Sequence, residues 1–159
     1  MRGDVMQAVT LLFLRVSLAG LMLAWGANKL VNTSGSVAIS DKFYLPFMSA
    51  ELLILCFGAL QLLLGGLVLL GYLRRYAYPM QALINGASFI AVFPSIVDPL
   101  GLYLPGTNIL FYPSVTIFAG SLLLMAFPAF DRYSLDALRQ RPATAWKARN
   151  RCSRDSAPL

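Results

Sequence analysis

Few side chains in this sequence have chemical reach, and the most informative is an arginine set in hydrocarbon. The run LLFLRVSLAGLMLAWGANKL, residues 11–30, carries only two charges, Arg15 and Lys29. An arginine near a bilayer centre costs at least about 2.5–3.5 kcal/mol on insertion scales and calls for a partner. Arg15 lies roughly 12 Å in from its end of the helix. At comparable depth on other apolar segments stand Gln61, Asn85 and Gln81, and no acidic residue falls in the inner half of any expected helix. Arg15 is therefore expected to share amide oxygens, backbone carbonyls, water or a bound carbonyl-bearing or anionic ligand. Arg15, Gln61 and Asn85 are the ligand-binding candidates. Three readings stay open for Arg15: a hydrogen-bonded tie between helices, a holder of a ligand head group, and a snorkelling side chain. Lys29, Glu51 and Asp98 fall near the opposite interface, where they would form an ion-paired cluster pinning helix ends or the mouth of a cavity.

Other chemistries are thinly supplied. The chain has no histidine and two cysteines, Cys56 within an apolar segment and Cys152 in a basic tail, at depths too different for a CxxC pair or a disulfide. Histidine-ligated haem, most zinc and copper sites and the Ser-His-Asp or Cys-His arrangements are excluded. No catalytic residue and no metal site is expected. The glycines of LLLGGLVLLG read as a helix-packing pattern and not as a phosphate loop.

The elements that must position these residues follow from composition. Of 159 residues, 58% are hydrophobic and 13% charged, and the mean hydropathy is +0.67. Soluble domains run roughly 45–50% apolar and about 25% charged. A helix crosses a bilayer core of about 30 Å in roughly 20 residues. Four segments fit: 8–27, 51–73, 79–97 and 109–130, with Pro79 at a helix start. The expected fold class is all-α, an integral membrane bundle of four transmembrane helices over residues 1–141, with a basic disordered tail over 142–159. Arg15 and a leader of mixed charge distinguish the first segment from a secretory signal peptide. Close packing is expected where small residues recur, at Gly20 with Ala24, at Ala87 with Ala91, and at Gly65 and Gly66.

Charge sets the expected orientation. Arg2, Arg74, Arg75, Arg132, Arg139, Arg141, Lys147, Arg149, Arg151 and Arg154 fall on one side, and Lys29 and Lys42 on the other, so both termini are expected in the cytoplasm. Trp25, Tyr44, Phe47, Tyr103 and Tyr112 would form one aromatic belt, and Tyr72, Tyr76, Tyr78 and Tyr133 the other. The net charge of +6 is concentrated in the tail, which reads as a topology signal touching anionic lipid or a partner, and not as a nucleic-acid site.

Three stretches taken together resemble the DoxX family of small four-helix membrane proteins: RVSLAGLMLAWGANKL, LPFMSAELLILCFGALQLLLGGLVLLGYLRRYA and AGSLLLMAFPAFDRYSLDALRQR. The resemblance spans about residues 10 to 140. It rests on Arg15, Gly26, Lys29, Leu30, Gly65, Gly66, Gly71, Gly120, Tyr133, Ser134, Leu135 and Asp136. Family members often carry a glutamate in the middle of the second helix, where this chain has Gln61, so a proton-handling role is not carried over.

The resemblance implies a link to membrane redox systems, among them thiosulfate:quinone oxidoreductase and oxidative-stress complexes. The expected role is an accessory membrane subunit of a quinone-linked oxidoreductase, without a redox centre of its own, in a bacterial-type inner membrane. No covalent cofactor is expected. A quinone or lipid would be the bound ligand, with Arg15 on a quinone carbonyl and Gln61 or Asn85 assisting. Partners would be lipid and other redox subunits, with homo-oligomers compatible. Two alternatives stand beside it: a small permease or channel with a path past Arg15, Gln61 and Asn85, and a purely structural subunit of a larger assembly.

Overall fold

The computed structural model describes residues 2–43 and 50–139, and the regular structure among them is helical, with no strand. Helix α1 covers Arg2–Val31, α2 Thr33–Phe43, α3 Glu51–Leu70, α4 Arg74–Ala91, α5 Phe93–Val97 and α6 Ser114–Ala126, with a 3-10 turn at Ile109–Phe111 leading into α6. A last helical turn covers residues 135–139. The expected basic tail with Cys152, and the belt residues Tyr44 and Phe47, lie outside the described residues.

Among the described residues, three helical stretches are long and apolar enough to cross a membrane: Gly3–Val31, Glu51–Leu70 and Ile109–Ala126. Helix α4 falls short on composition, since Arg74, Arg75, Gln81 and Asn85 all lie within it. The boundaries differ from those expected for physical reasons. Helix α3 stops at Leu70 because Gly71 takes the left-handed conformation at φ 64°. The N–H groups of Gly71 and Tyr72 then turn back to the carbonyls of Val68 and Leu67, closing the helix end. Helix α4 starts at Arg74, so Pro79 lies inside it and not at its start. It breaks at Val92, where Pro94 cannot donate to the preceding turn.

The long helices pack α1 on α3, α3 on α4, α4 on α6 and α6 back on α1, which closes a ring. Its core is contributed by all four: Leu18, Ala19 and Met22, Leu64 and Val68, Ala77 and Tyr78, and Leu124. Helices α1 and α3 are antiparallel, for the contacts Lys29 to Gly58, Leu23 to Gly65 and Arg15 to Gly71 run in opposite order along the two. Their closest approach is at Gly26 and Gly58, where a Cβ on either would lie 3.1 Å from the other's carbonyl oxygen. The small residues singled out in the sequence are differently placed. Gly20, Ala24 and Ala87 face outward, and Gly20 and Gly66 have open space where a Cβ would project. Only Gly65 is wedged, against Leu23.

Candidate functional site

The strongest polar constellation is built by chain that folds back after α6. Beyond Ala126 the helix ends, Pro128 prevents its continuation, and the following turn carries Asp131 into the bundle. Asp131 Oδ1 accepts a hydrogen bond from Arg15 Nη1 at 2.6 Å, and Oδ2 accepts one from the Tyr78 hydroxyl at 2.5 Å. Arg15 Nη2 donates to the Tyr133 carbonyl at 2.9 Å. Arg15 and Asp131 are 3% and 1% exposed, so the charges are removed from solvent together. A pair this well bonded can recover its desolvation cost, whereas either charge alone could not.

Arg74 and Asp136 extend the constellation. Arg74 Nη1 donates to the carbonyls of Pro128 at 2.9 Å and Asp131 at 3.0 Å, and lies 3.8 Å from the Asp131 carboxylate. Asp136 accepts the backbone N–H of Arg74 at 2.9 Å and returns its own N–H to the Gly71 carbonyl at 3.2 Å. Helix α4 begins after Leu73, which is left-handed at φ 51° and offers no side-chain cap. Asp136 supplies that acceptor from 62 positions away, and its charge suits a helix N-terminus. Gly71 makes room: a Cβ there would meet Ser134 Cβ at 2.4 Å and Arg15 Nη1 at 2.8 Å. Two arginines and two aspartates thus form a charge-balanced clasp over the α3–α4 turn.

The residues expected from the sequence fall into separate places. Arg15 bonds to neither Gln61 nor Asn85; its partner is an aspartate from the turn after α6, just outside the expected helices. Gln61 instead accepts a hydrogen bond from Lys29 Nζ at 2.9 Å, and that ammonium lies 5.7 Å from the Trp25 ring centre. Asn85 donates to the Ser121 hydroxyl at 2.8 Å, tying α4 to α6. The expected ion-paired cluster of Lys29, Glu51 and Asp98 does not form among the described residues. Glu51 is exposed in the first turn of α3. Asp98 accepts backbone N–H bonds from Leu102 at 3.0 Å, Tyr103 at 2.7 Å and Leu104 at 2.8 Å, which hold its carboxyl below the usual carboxylate range. Tyr78, expected in an aromatic belt, is 2% exposed and belongs to the clasp.

Two groups within the bundle have unused hydrogen-bonding capacity. Gln81, one helical turn beyond Tyr78 on α4, is 0% exposed, and neither its amide oxygen nor its nitrogen has a partner. Arg15 Nε is likewise buried and unpartnered. A buried carboxamide without partners is costly in hydrocarbon, so it marks a place where a small polar group would be held. Among the described residues no group of three or more histidine, cysteine, aspartate or glutamate side chains is placed to hold a metal.

The residues missed from sequence are Asp131, Tyr78 in its buried role, and Arg74. A usable signal existed, since Asp131 closely follows an apolar segment that ends on the side of the membrane nearest Arg15.

Apolar helices packed in a ring around an apolar core and closed at one end by a buried arginine–aspartate pair define an integral membrane protein of the helical class. The DoxX family model matches residues 10–93 of the 159. The chain belongs to the DoxX family. No match is found among curated proteins or among solved structures.

Proposed function

We propose that this protein is an accessory membrane subunit of a quinone-linked oxidoreductase, a role that needs no redox centre of its own. DoxX membership supports it, because the family is often linked to redox functions. In this reading the chain crosses a bacterial-type inner membrane four times with both termini in the cytoplasm. Helix α4 supports a fourth crossing despite its composition. Beyond Arg75 in its first turn, its outward residues Tyr76, Pro79, Met80, Leu83, Ala87 and Ile90 are free of charge and mostly apolar, while Gln81 is buried and Asn85 is bonded inward. The side bearing Arg74, Arg75, Arg132 and Arg139 is the more basic, in keeping with a cytoplasmic clasp.

The observation that carries the ligand part of this reading is the buried, unpartnered carboxamide of Gln81. A carboxamide both donates and accepts, so it can bond a quinone carbonyl and a quinol hydroxyl without changing charge. Arg15, Gln61 and Asn85 each have an intramolecular partner, which shifts the ligand-binding role toward Gln81. The same separation weighs against a permease, since the three polar groups belong to three unconnected bonds and not to one path.

Membranes from cells with and without the chain test this. Loss of the protein is expected to lower quinone-linked electron transfer by a partner enzyme, with recovery by the natural sequence and not by Gln81→Leu. Unchanged electron transfer in its absence would refute the reading.

A further inference from the structure

At the end of the bundle opposite the clasp, a groove of about 550 Å³ lies between α2 and the segment before the 3-10 turn. Ile39, Lys42 and Phe43 form one wall, and Thr107, Asn108 and Phe111 the other. Its floor is aromatic, with Phe43 and Phe111 edge to face at 4.9 Å between ring centres. Lys42 is exposed, and its Nζ lies 5.3 Å from the Phe43 ring centre. It is the only charged side chain among the lining residues, because Asp41 on the adjacent position is not part of the wall.

The neighbouring loop offers a second, independent observation. Residues 99–113 carry no charge at all. Leu100, Leu102, Tyr103, Ile109 and Leu110 are 57–87% exposed there. Such a loop is not slack, because Asp98 binds three successive N–H groups at its base. A held, uncharged, apolar loop beside a groove with one cation matches a molecule with apolar chains and an anionic head.

We propose that this groove is a binding site for an anionic phospholipid, whose phosphate pairs with Lys42 and accepts a hydrogen bond from the Asn108 side-chain amide, whose oxygen is held by the Leu110 N–H, while its chains lie along the apolar loop. A free phosphate would satisfy Lys42 alone and would leave the aromatic floor and the loop uncovered. The site is distinct from the Gln81 region and does not depend on any redox role.

The test is native mass spectrometry of the full chain released from nanodiscs made with equal phosphatidylglycerol and phosphatidylcholine. Retained phosphatidylglycerol is expected to exceed phosphatidylcholine by about fivefold, the order expected of one ammonium at an anionic surface. Lys42→Gln is expected to abolish the preference, Thr107→Trp to lower total retained lipid, and Arg75→Gln, at the other end of the bundle, to change neither. Inorganic phosphate in excess is expected not to displace the lipid. Equal retention of the two lipids, a preference untouched by Lys42→Gln or lost equally in Arg75→Gln, or full displacement by phosphate would overturn the proposal.

Discussion

Arg15 and Asp131, 116 positions apart, meet at 2.6 Å with both side chains withdrawn from solvent. The pair joins the first long helix to the turn after the last, and Tyr78 on α4 holds the same carboxylate from the other side. Removing one member leaves a buried charge unpaired. Arg15→Leu and Asp131→Leu should each lower the unfolding free energy by about 3–5 kcal/mol, and the double substitution by less than their sum. A double-mutant cycle in detergent, followed by denaturant titration, checks this, and strict additivity would mean the pair is not coupled.

Gly71 should tolerate no side chain. Gly71→Ala places a Cβ 2.4 Å from Ser134 Cβ and forces a left-handed alanine, the latter alone worth about 1–2 kcal/mol. Gly66→Ala, which meets nothing within 4 Å on the same helix, should be neutral or stabilising by about 0.5–1 kcal/mol. Thermal midpoints of the two variants, side by side, separate a strained turn from general fragility of α3.

The apolar runs of α1 and α3 were legible in the sequence because hydrocarbon length and composition dictate them. The clasp was not. Asp131 lies just past what reads as the end of a crossing at residue 130, and only the early stop at Ala126 and the return at Pro128 bring it to Arg15. Asp136 was legible as part of a family motif, yet its bond to the Arg74 N–H is a long-range cap that no local spacing reports. Asn85 and Gln61 were legible as polar groups at depth, but depth alone does not choose a partner. Ser121 and Lys29 were nearer than Arg15.

Gln61→Glu should strengthen the contact between α1 and α3. It sets a carboxylate where the amide oxygen now lies 2.9 Å from Lys29 Nζ, turning a bond from an ammonium to a neutral acceptor into an ion pair. Gln61→Leu should lower the thermal midpoint, because Lys29 then loses its acceptor. A fall with Gln61→Glu at neutral pH would contradict the assignment of Lys29 as the facing group.

Asp98 should make the 99–113 loop sensitive to acid. Its carboxyl lies below its ordinary value in the folded chain because three N–H groups bond the ionised form, the Tyr103 bond chief among them. The stabilisation is therefore present above the unfolded value of about 3.9 and is lost as pH falls through the lower, folded value. Limited proteolysis of the loop with an acid-active protease should show protection lost on acidification. Asp98→Asn should remove that dependence and leave the loop cleavable throughout.

The most direct test of the accessory role is co-purification of the tagged protein from its native membrane in mild detergent, with mass spectrometry of the proteins and quinone extraction of the eluate. Oxidoreductase subunits and quinone are expected in the eluate, with quinone lost and the subunits kept in Gln81→Leu. A chain that elutes with neither would contradict it.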